Sequence, residues 1–506
     1  MPLPEPARLL LPLLLALGGC ATSSLELAAP RADRPWNPPL AADGRIAPGP
    51  ALSDAPDYTL PPNPEAARPA PADMIAADHV YTLPELIDLA QSSNPRTRIA
   101  WNTARNAALA TGIVRSLYLP QLAATAMGGL RWGHGGADAG LGGASETNHA
   151  RGAVGLIWLQ WLLFDFGGKQ ARVEAAEQTT IASNIALTAV HQLLIQEVSL
   201  AYYQYDAARQ HVVNARQGLS NAGTLAEAAN ARWRHGQGTV VEVAQAAQNR
   251  EQAKLALITA QGREQDNYLA LITAMGISPL AQPRIAPAPP ARLSPALEQP
   301  VERIVSEALA RRPDVLAAYA AVQAEQARAR AAETDFLPKI FVAGATSHSS
   351  GQSAITAVPA VGQQAPVVNL DSRRSGANVI LGITVPLYDG GLRQAVRMQA
   401  RNDAASAGER LENTRQEATR QIVAAQNALR TSLAANEAAQ SLVKAARTTY
   451  EAALAAYRNG VGTLTEATLA QSQMLAAQNA YADSVSAARS AAVVLTVSMG
   501  RATAER

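Results

Sequence analysis

The chain has 506 residues, room for about three average domains on length alone. Hydrophobic residues make up 48% and charged residues 17% but aromatics only 4%, an Ala, Leu and Val economy that favours long, closely packed helices over a compact globule. A formal net charge of +2 excludes the basic footprint of a nucleic-acid binder, and the single cysteine, Cys20, excludes an intrachain disulfide and a cysteine metal cluster within one subunit.

The first element is an apolar run, Leu9 to Gly19, too short for a bilayer span of about twenty residues but suited to the core of a signal peptide. It ends in Leu17-Gly18-Gly19-Cys20, which resembles the lipobox of bacterial lipoproteins. The head departs from that pattern, since Glu5 offsets the one basic residue, Arg8. The resemblance implies a signal peptide over residues 1–19, a covalent lipid on Cys20 and, with Ala21 rather than Asp following, passage to the outer membrane; a plain secretory signal is the alternative. Residues 20–80 carry Pro38-Pro39 and Pro61-Pro62-Asn63-Pro64 with no sustained period, so an extended Pro-rich tether is expected.

Two similar halves follow, residues 81–280 and 301–501, with a linker at 281–300 and a tail at 502–506. Asn94-Pro95 matches Arg312-Pro313 at an offset of 218 (312 minus 94), as does Leu119-Pro120 with Leu337-Pro338. Gly236-Gln237-Gly238-Thr239 matches Gly460-Val461-Gly462-Thr463 at 224 (460 minus 236), as does Met275-Gly276 with Met499-Gly500. Four ordered matches mean duplication of a whole architectural unit.

In the first half, Leu86, Leu89 and Ala90 predict a helix from Pro84 to about Tyr118, ended by Pro120. Strand-like stretches follow at Gln121 to Gly133 and Gly152 to Phe164, across a Gly-rich loop. From Gly168 to Arg234 there is no proline, and Ile181, Ile185, Leu187, Leu194 and Val198 recur at helical spacing. A helix of that length would reach ~100 Å. A return helix runs from Thr239 to about Met275. The second half repeats the plan: a helix from Val301 to Asp335, strands at Lys339 to His348 and Ser375 to Tyr388, a long helix from Gly391 to Arg458 and a return helix. Val379, Leu381, Ile383 and Val385 alternate with Asn378, Ile380, Gly382 and Thr384, as a wall between lipid and lumen requires.

The expected fold is therefore mainly α with a small β part: long antiparallel helical hairpins forming an α-barrel tunnel, plus four strands. Four strands cannot close, and an open edge cannot lie in lipid. Two chains would give an eight-stranded barrel filled by its own side chains, whereas three give about twelve strands and leave a lumen. A homotrimer is expected.

With Leu163-Phe164-Asp165-Phe166-Gly167-Gly168 and Leu387-Tyr388-Asp389-Gly390-Gly391 at the strand-to-helix junctions, the chain resembles the TolC family of outer-membrane efflux and secretion channels from about Tyr81 to Arg501. The turns Arg232-Trp233-Arg234-His235-Gly236 and Tyr457-Arg458-Asn459-Gly460 resemble the family's periplasmic hairpin tips. The resemblance implies a trimeric 12-stranded barrel in the outer membrane of a Gram-negative bacterium. It also implies a passive duct docked on a periplasmic adaptor and, through it, on an inner-membrane pump. Cargo choice then falls to the pump, proton-driven or ABC-type.

At the tips, Gly236, Gly238, Gly460 and Gly462 suit sharp turns, and Thr239 and Thr463 suit helix caps; they either make the turn alone or also touch the adaptor. Glu242 and Glu466, at equivalent positions, either ring the periplasmic aperture or serve the helix dipole. In the family, acidic residues of this region constrict the entrance; Gln245 and Leu469 here make any ring sparser. No phosphate loop, nucleophile elbow or Cys/His metal spacing occurs, so neither an enzyme nor a cofactor or metal is expected. His134, His149 and His348 are expected near strand ends or outer loops. The rival classes are a lipid-anchored periplasm-spanning coiled-coil scaffold without a pore and a cell-envelope hydrolase.

Overall fold

The computed structural model describes residues 23–29, 31–33, 36–50, 52, 59–63, 66–67, 75–76, 78–137, 144–289, 301–357 and 367–501. It divides into two units, Met1–Ile75 and Ala76–Arg506. Cys20 and the expected signal segment lie outside the described residues. In the first unit the described residues include a short 3-10 helix, Ser23–Leu27, and a bridge between Leu40 and Ile46.

The second unit begins with strand β1 (Val80–Tyr81) and helices α1 (Leu83–Ser93) and α2 (Pro95–Arg115). One continuous helix was expected here. Asn94 instead stands at φ −65°, ψ 126°, because a residue preceding proline is pushed out of the α region. Its side chain accepts from Arg96 N at 2.9 Å and donates to Ala274 O at 3.3 Å, so the break is tied to the far end of the return helix. The second half breaks in the same way between α5 (Val301–Leu309) and α6 (Pro313–Thr334). There Arg312 takes φ −65°, ψ 127° and donates to Ser498 O at 3.2 Å.

Strands β2 (Gln121–Ala137) and β3 (Ala144–Phe164) lead to the long helix α3 (Gly168–Arg234) and its return α4 (Val240–Met275). The segment expected to be a plain linker opens with strand β4 (Arg284–Ile285), paired in parallel with β1 through Val80↔Arg284 and Tyr81↔Ile285. Tyr202 Oη holds Ala286 O at 3.1 Å, and Tyr268 Oη holds Pro283 O at 3.0 Å. Beneath lies a core of Leu86, Val198, Tyr202, Leu271, Ile272 and Met275. Burial pushes the phenols of Tyr202 and Tyr268 up to about 12.

The second half continues with β5 (Lys339–Ala357), β6 (Val367–Thr384), α7 (Leu392–Arg458) and α8 (Leu464–Ser498). Helices α3 and α7 each have 67 residues, a rise of ~100 Å. Apolar side chains are small along both, so neighbouring axes approach over alanine: Ala222, Ala229, Ala246, Ala327, Ala418, Ala467 and Ala488 are buried.

Around α3 pack α2 and α6 toward the sheet end and α4 and α8 toward the tips. Around α7 pack α6 and α8. Helix α7 therefore forms one margin of the helical wall, and α2 and α4 form the other. The sheet runs β2-β3-β5-β6, antiparallel throughout, and leaves β2 and β6 as edges. All four strands extend further from the helices than expected, because their outer halves turn polar and lose the alternation that marks them in sequence. Strand β6 ends at Thr384, short of the expected Tyr388, where Pro386 has no N–H for a ladder.

Candidate functional site: the hairpin tips and the barrel sheet

Each tip turns on a glycine with a left-handed backbone, Gly236 at φ 71° and Gly460 at φ 79°, where a Cβ would be strained. Two residues on, Gly238 and Gly462 are required by space instead. A Cβ on Gly238 would stand 2.9 Å from Glu242 Oε2 and 3.2 Å from Trp233 N, and one on Gly462 would stand 2.9 Å from Ala456 Cβ. Thr239 and Thr463 then cap the return helices, Oγ1 of each accepting the backbone N–H of Glu242 or Glu466 at 3.2 Å.

The two glutamates complete capping boxes. Oε2 of Glu466 accepts from Thr463 N at 2.9 Å, and Oε2 of Glu242 accepts from Thr239 N at a looser 3.4 Å. The Thr463 backbone N–H, followed by its hydroxyl, holds the Glu466 carboxyl below the usual carboxylate range. Each carboxylate thus stabilises its own helix start.

The structure also joins the tips, through the arginine that opens the first turn motif and to which the sequence assigned no role. Arg232 Nη1 donates to Tyr457 O at 2.7 Å and Nη2 to Gln237 O at 3.1 Å, while the guanidinium lies 5.0 Å from the centre of the Tyr457 ring. Tyr457 is fully buried against Leu225, Ala226, Ala229, Leu464 and Ala467. Burial first, with the Glu242 charge second, pushes its phenol up. The signal was present in the register, since Arg232 faces Ala456 across the offset of 224 (456 minus 232). An arginine where the duplicate has alanine marks a contact that only one half makes.

In the sheet, side chains of directly paired residues share a face. One face carries Leu122, Leu159 and Val379, then Ala124, Ile157 and Ala377, with Trp161, Val342 and Leu381 nearer the helices. On β6 this apolar run continues from Ala377 to Ile383 and, past the strand end, to Val385, which with strand tilt makes a band ~20 Å tall. Trp161, whose Nε1 donates to Tyr118 O at 2.8 Å, shares a rung with Val342 and Leu381, and Trp132 stands on the same face one rung beyond Leu130 and Arg151. The opposite face carries Gln121, Gln160, Thr125, Ser347 and Asn378, a mixed lining. His134 and His149 lie near the outer ends of β2 and β3, one of the two expected placements, whereas His348 lies mid-strand in β5 with Nδ1 at 2.8 Å from Ser375 Oγ.

The family model for outer membrane efflux proteins matches residues 86–277 and 304–501. Protein CyaE of Bordetella pertussis is 27% identical over 449 residues, covering 85% of this chain and 86% of that protein. Outer membrane protein OprJ of Pseudomonas aeruginosa is 28% identical over 381 residues, 75% of each chain. A crystal structure of a membrane protein from P. aeruginosa superposes with a TM-score of 0.66 at 26% identity, over 89% of this chain and all (100%) of that one. The outer membrane protein VceC of Vibrio cholerae shares the fold with a TM-score of 0.66 at 18% identity, over 83% of this chain and 96% of its own. With both helical hairpins and both strand pairs inside the matched regions, the chain is a member of the TolC family of outer membrane efflux proteins.

Proposed function

We propose that three copies of this outer-membrane efflux protein close into one passive exit duct, whose tips dock on a periplasmic adaptor and receive cargo from an inner-membrane pump. One observation carries the trimer: positions that are buried in one half are bare in the other. Across the offset of 218, Leu109 corresponds to Ala327 and Ile113 to Ala331 (327 minus 109, 331 minus 113). Ala327 is 0% and Ala331 6% exposed, whereas Leu109 is 65% and Ile113 70% exposed. Ala327 and Ala331 lie on α6, which packs on α3. If the duplication carries on into the next copy, α2 meets the α7 margin of a neighbour as α6 meets α3, and the larger side chains fill the wider gap.

The same rule pairs β6 with β2 of the next copy, as β3 pairs with β5, and removes both open edges. It also covers Trp233. That side chain is 47% exposed, while its counterpart Tyr457 is 0% exposed. Acylation at Cys20 would add an anchor of ~0.8 kcal/mol per buried methylene. Catalysis has no place in this scheme; the energy comes from the pump. Glu242 and Glu466 would bring six carboxylates to the narrow end of the duct, and the tip glycines and threonines would shape the grooves the adaptor fills.

The test is Leu109→Asp with Ile113→Asp in the full-length protein. Heat-modifiable trimer and single-channel conductance should both disappear while the helical content of the monomer persists. Trimers that survive the substitutions would remove this interface. Wild-type trimers that never conduct, even with the tips opened, would favour the pore-less scaffold.

A further inference from the structure

Just beyond the apolar band, the band-bearing face of the sheet changes character within two rungs. Reading across the strands, one rung is Gly128–Ala153–Ser350–Arg373, and the next outward is Leu130–Arg151–Gln352–Asp371. The other face contributes only Gly129, Gly152 and Gly351, with Ser372, at this level, so the sheet is thin. The result is a cleft of about 980 Å³ lined by Arg151, Ser350, Gln352, Asp371 and Arg373.

Arg151 is held in place: its Nε donates to Gln352 Oε1 at 2.9 Å, and its Nη2 donates to the same oxygen. Among the described residues the Arg373 guanidinium has no hydrogen-bond or ion-pair partner. One held cation, one unpartnered cation and one carboxylate, all exposed, therefore sit where an outward-facing wall leaves the hydrocarbon on the side away from the helices. On the outer-membrane channel reading the helical side is the periplasmic one, so this rung lies toward the outer leaflet.

We propose that this cleft binds the phosphorylated sugar headgroup of an outer-leaflet glycolipid, an inference that rests on the outer-membrane channel reading. The phosphate accepts charge-assisted hydrogen bonds from Arg151 and Arg373. Asp371 and Gln352 are what select a glycolipid over a simple phosphate. A carboxylate beside the guanidinium groups repels a bare anion, yet it accepts hydrogen bonds from sugar hydroxyls, which only a headgroup with both kinds of group presents. The volume also suits a sugar phosphate rather than a lone ion. Each copy of the chain carries one such cleft, so a trimer would hold three lipids on its outer rim and fix its height in the membrane.

The experiment uses the full-length trimer in detergent, with lipid A and its dephosphorylated form as probes and native mass spectrometry as the readout. Wild type should retain the phosphorylated form at least about tenfold better. Arg151→Gln with Arg373→Gln should abolish that preference, and Arg151→Lys with Arg373→Lys should keep most of it. Trimer migration and conductance are followed in parallel. Equal retention of both lipids by a conducting wild-type trimer overturns the cleft, as does a preference that survives the double Gln variant. A wild-type trimer that does not conduct overturns the channel reading instead.

Discussion

At the two strand-to-helix junctions, Asp165 and Asp389 occupy equivalent positions, followed four residues later by Lys169 and Arg393 (both offsets 224: 389 minus 165, 393 minus 169). The chemistry is shared but the surroundings are not. Asp165 and Lys169 are buried; Asp165 Oδ2 accepts from Lys169 N at 2.7 Å, and Lys169 Nζ donates to Leu162 O at 2.7 Å and Leu163 O at 3.2 Å beneath the Tyr118 ring. Asp389 and Arg393 form a partly exposed ion pair at 2.9 Å, with the Arg393 backbone N–H holding the carboxyl below its usual range. Helix α6 of the same chain covers the first junction, where Thr334 Oγ1 crowds the buried Gly168, whereas Leu392, its counterpart (392 minus 168 is 224), is 64% exposed. Duplicated sequence thus acquires two environments, one completed within the chain and one waiting for a neighbour.

The largest difference between them should come from removing the cation. Lys169→Ala leaves two part-buried carbonyls and an aromatic face without a partner and should cost ~1–3 kcal/mol. Arg393→Ala breaks a partly exposed pair and should cost under ~1 kcal/mol in the monomer. Chemical denaturation of dissociated monomers would check both. Equal losses would mean that the first junction is not completed within the chain. In assembled trimers the gap should narrow, because the neighbour covers the second junction.

The tips repeat the lesson with a smaller expected effect. Arg232→Ala removes the donor that joins α3 to Tyr457 O and uncovers the ring, a loss of ~1–2 kcal/mol that falls on a contact between the tips which the duplication does not provide twice. Higher single-channel conductance without adaptor is expected, because the hairpins are then free to part. Unchanged conductance would reduce Arg232 to a packing residue.

Much of this was legible in the sequence, for identifiable reasons. The long helices could be bounded because absence of proline and small-residue periodicity are local properties, and glycine ends them where φ turns positive. The strand pairs were legible only within the apolar band, where alternation is enforced; beyond it, polar rungs such as Arg151–Gln352–Asp371 carry no such period. The breaks at Asn94 and Arg312 follow from the prolines beside them, but the helical pattern on both sides hid them. The β1–β4 pair and the Arg232–Tyr457 contact join residues about 200 positions apart (284 minus 80, 457 minus 232), and no local pattern announces such contacts.

The glutamates separate two roles by substitution chemistry. Gln can still complete a capping box, whereas Ala loses ~1 kcal/mol per cap. Glu242→Gln with Glu466→Gln should therefore keep the tips folded and still lower cation selectivity in a planar bilayer; unchanged selectivity would confine both residues to capping. For Glu466 the sign of the pH effect is set. A depressed carboxyl contributes fully above its ordinary value and is lost only as pH falls through the lowered one. Selectivity due to Glu466 should then persist through mild acid.

The smallest expected effect lies one residue beyond the junction aspartates, where Phe166 adopts φ 54° and its counterpart Gly390 adopts φ 68°. A non-glycine residue in that region costs ~1–2 kcal/mol. Phe166 offsets this by an edge-on contact with Phe164, ring centres 4.7 Å apart, of the kind that returns ~0.5–1.5 kcal/mol. Phe166→Gly gives up the contact and relieves the backbone, so monomer stability should change by less than ~1 kcal/mol. Gly390→Phe takes on the backbone cost beside an exposed Tyr388 and should lose ~1–2 kcal/mol. A large loss at Phe166 would show that the aromatic contact, rather than the turn, holds the first junction. A loss at Gly390 that vanishes on trimer assembly would show that a neighbour supplies the second junction with the contact its own chain lacks.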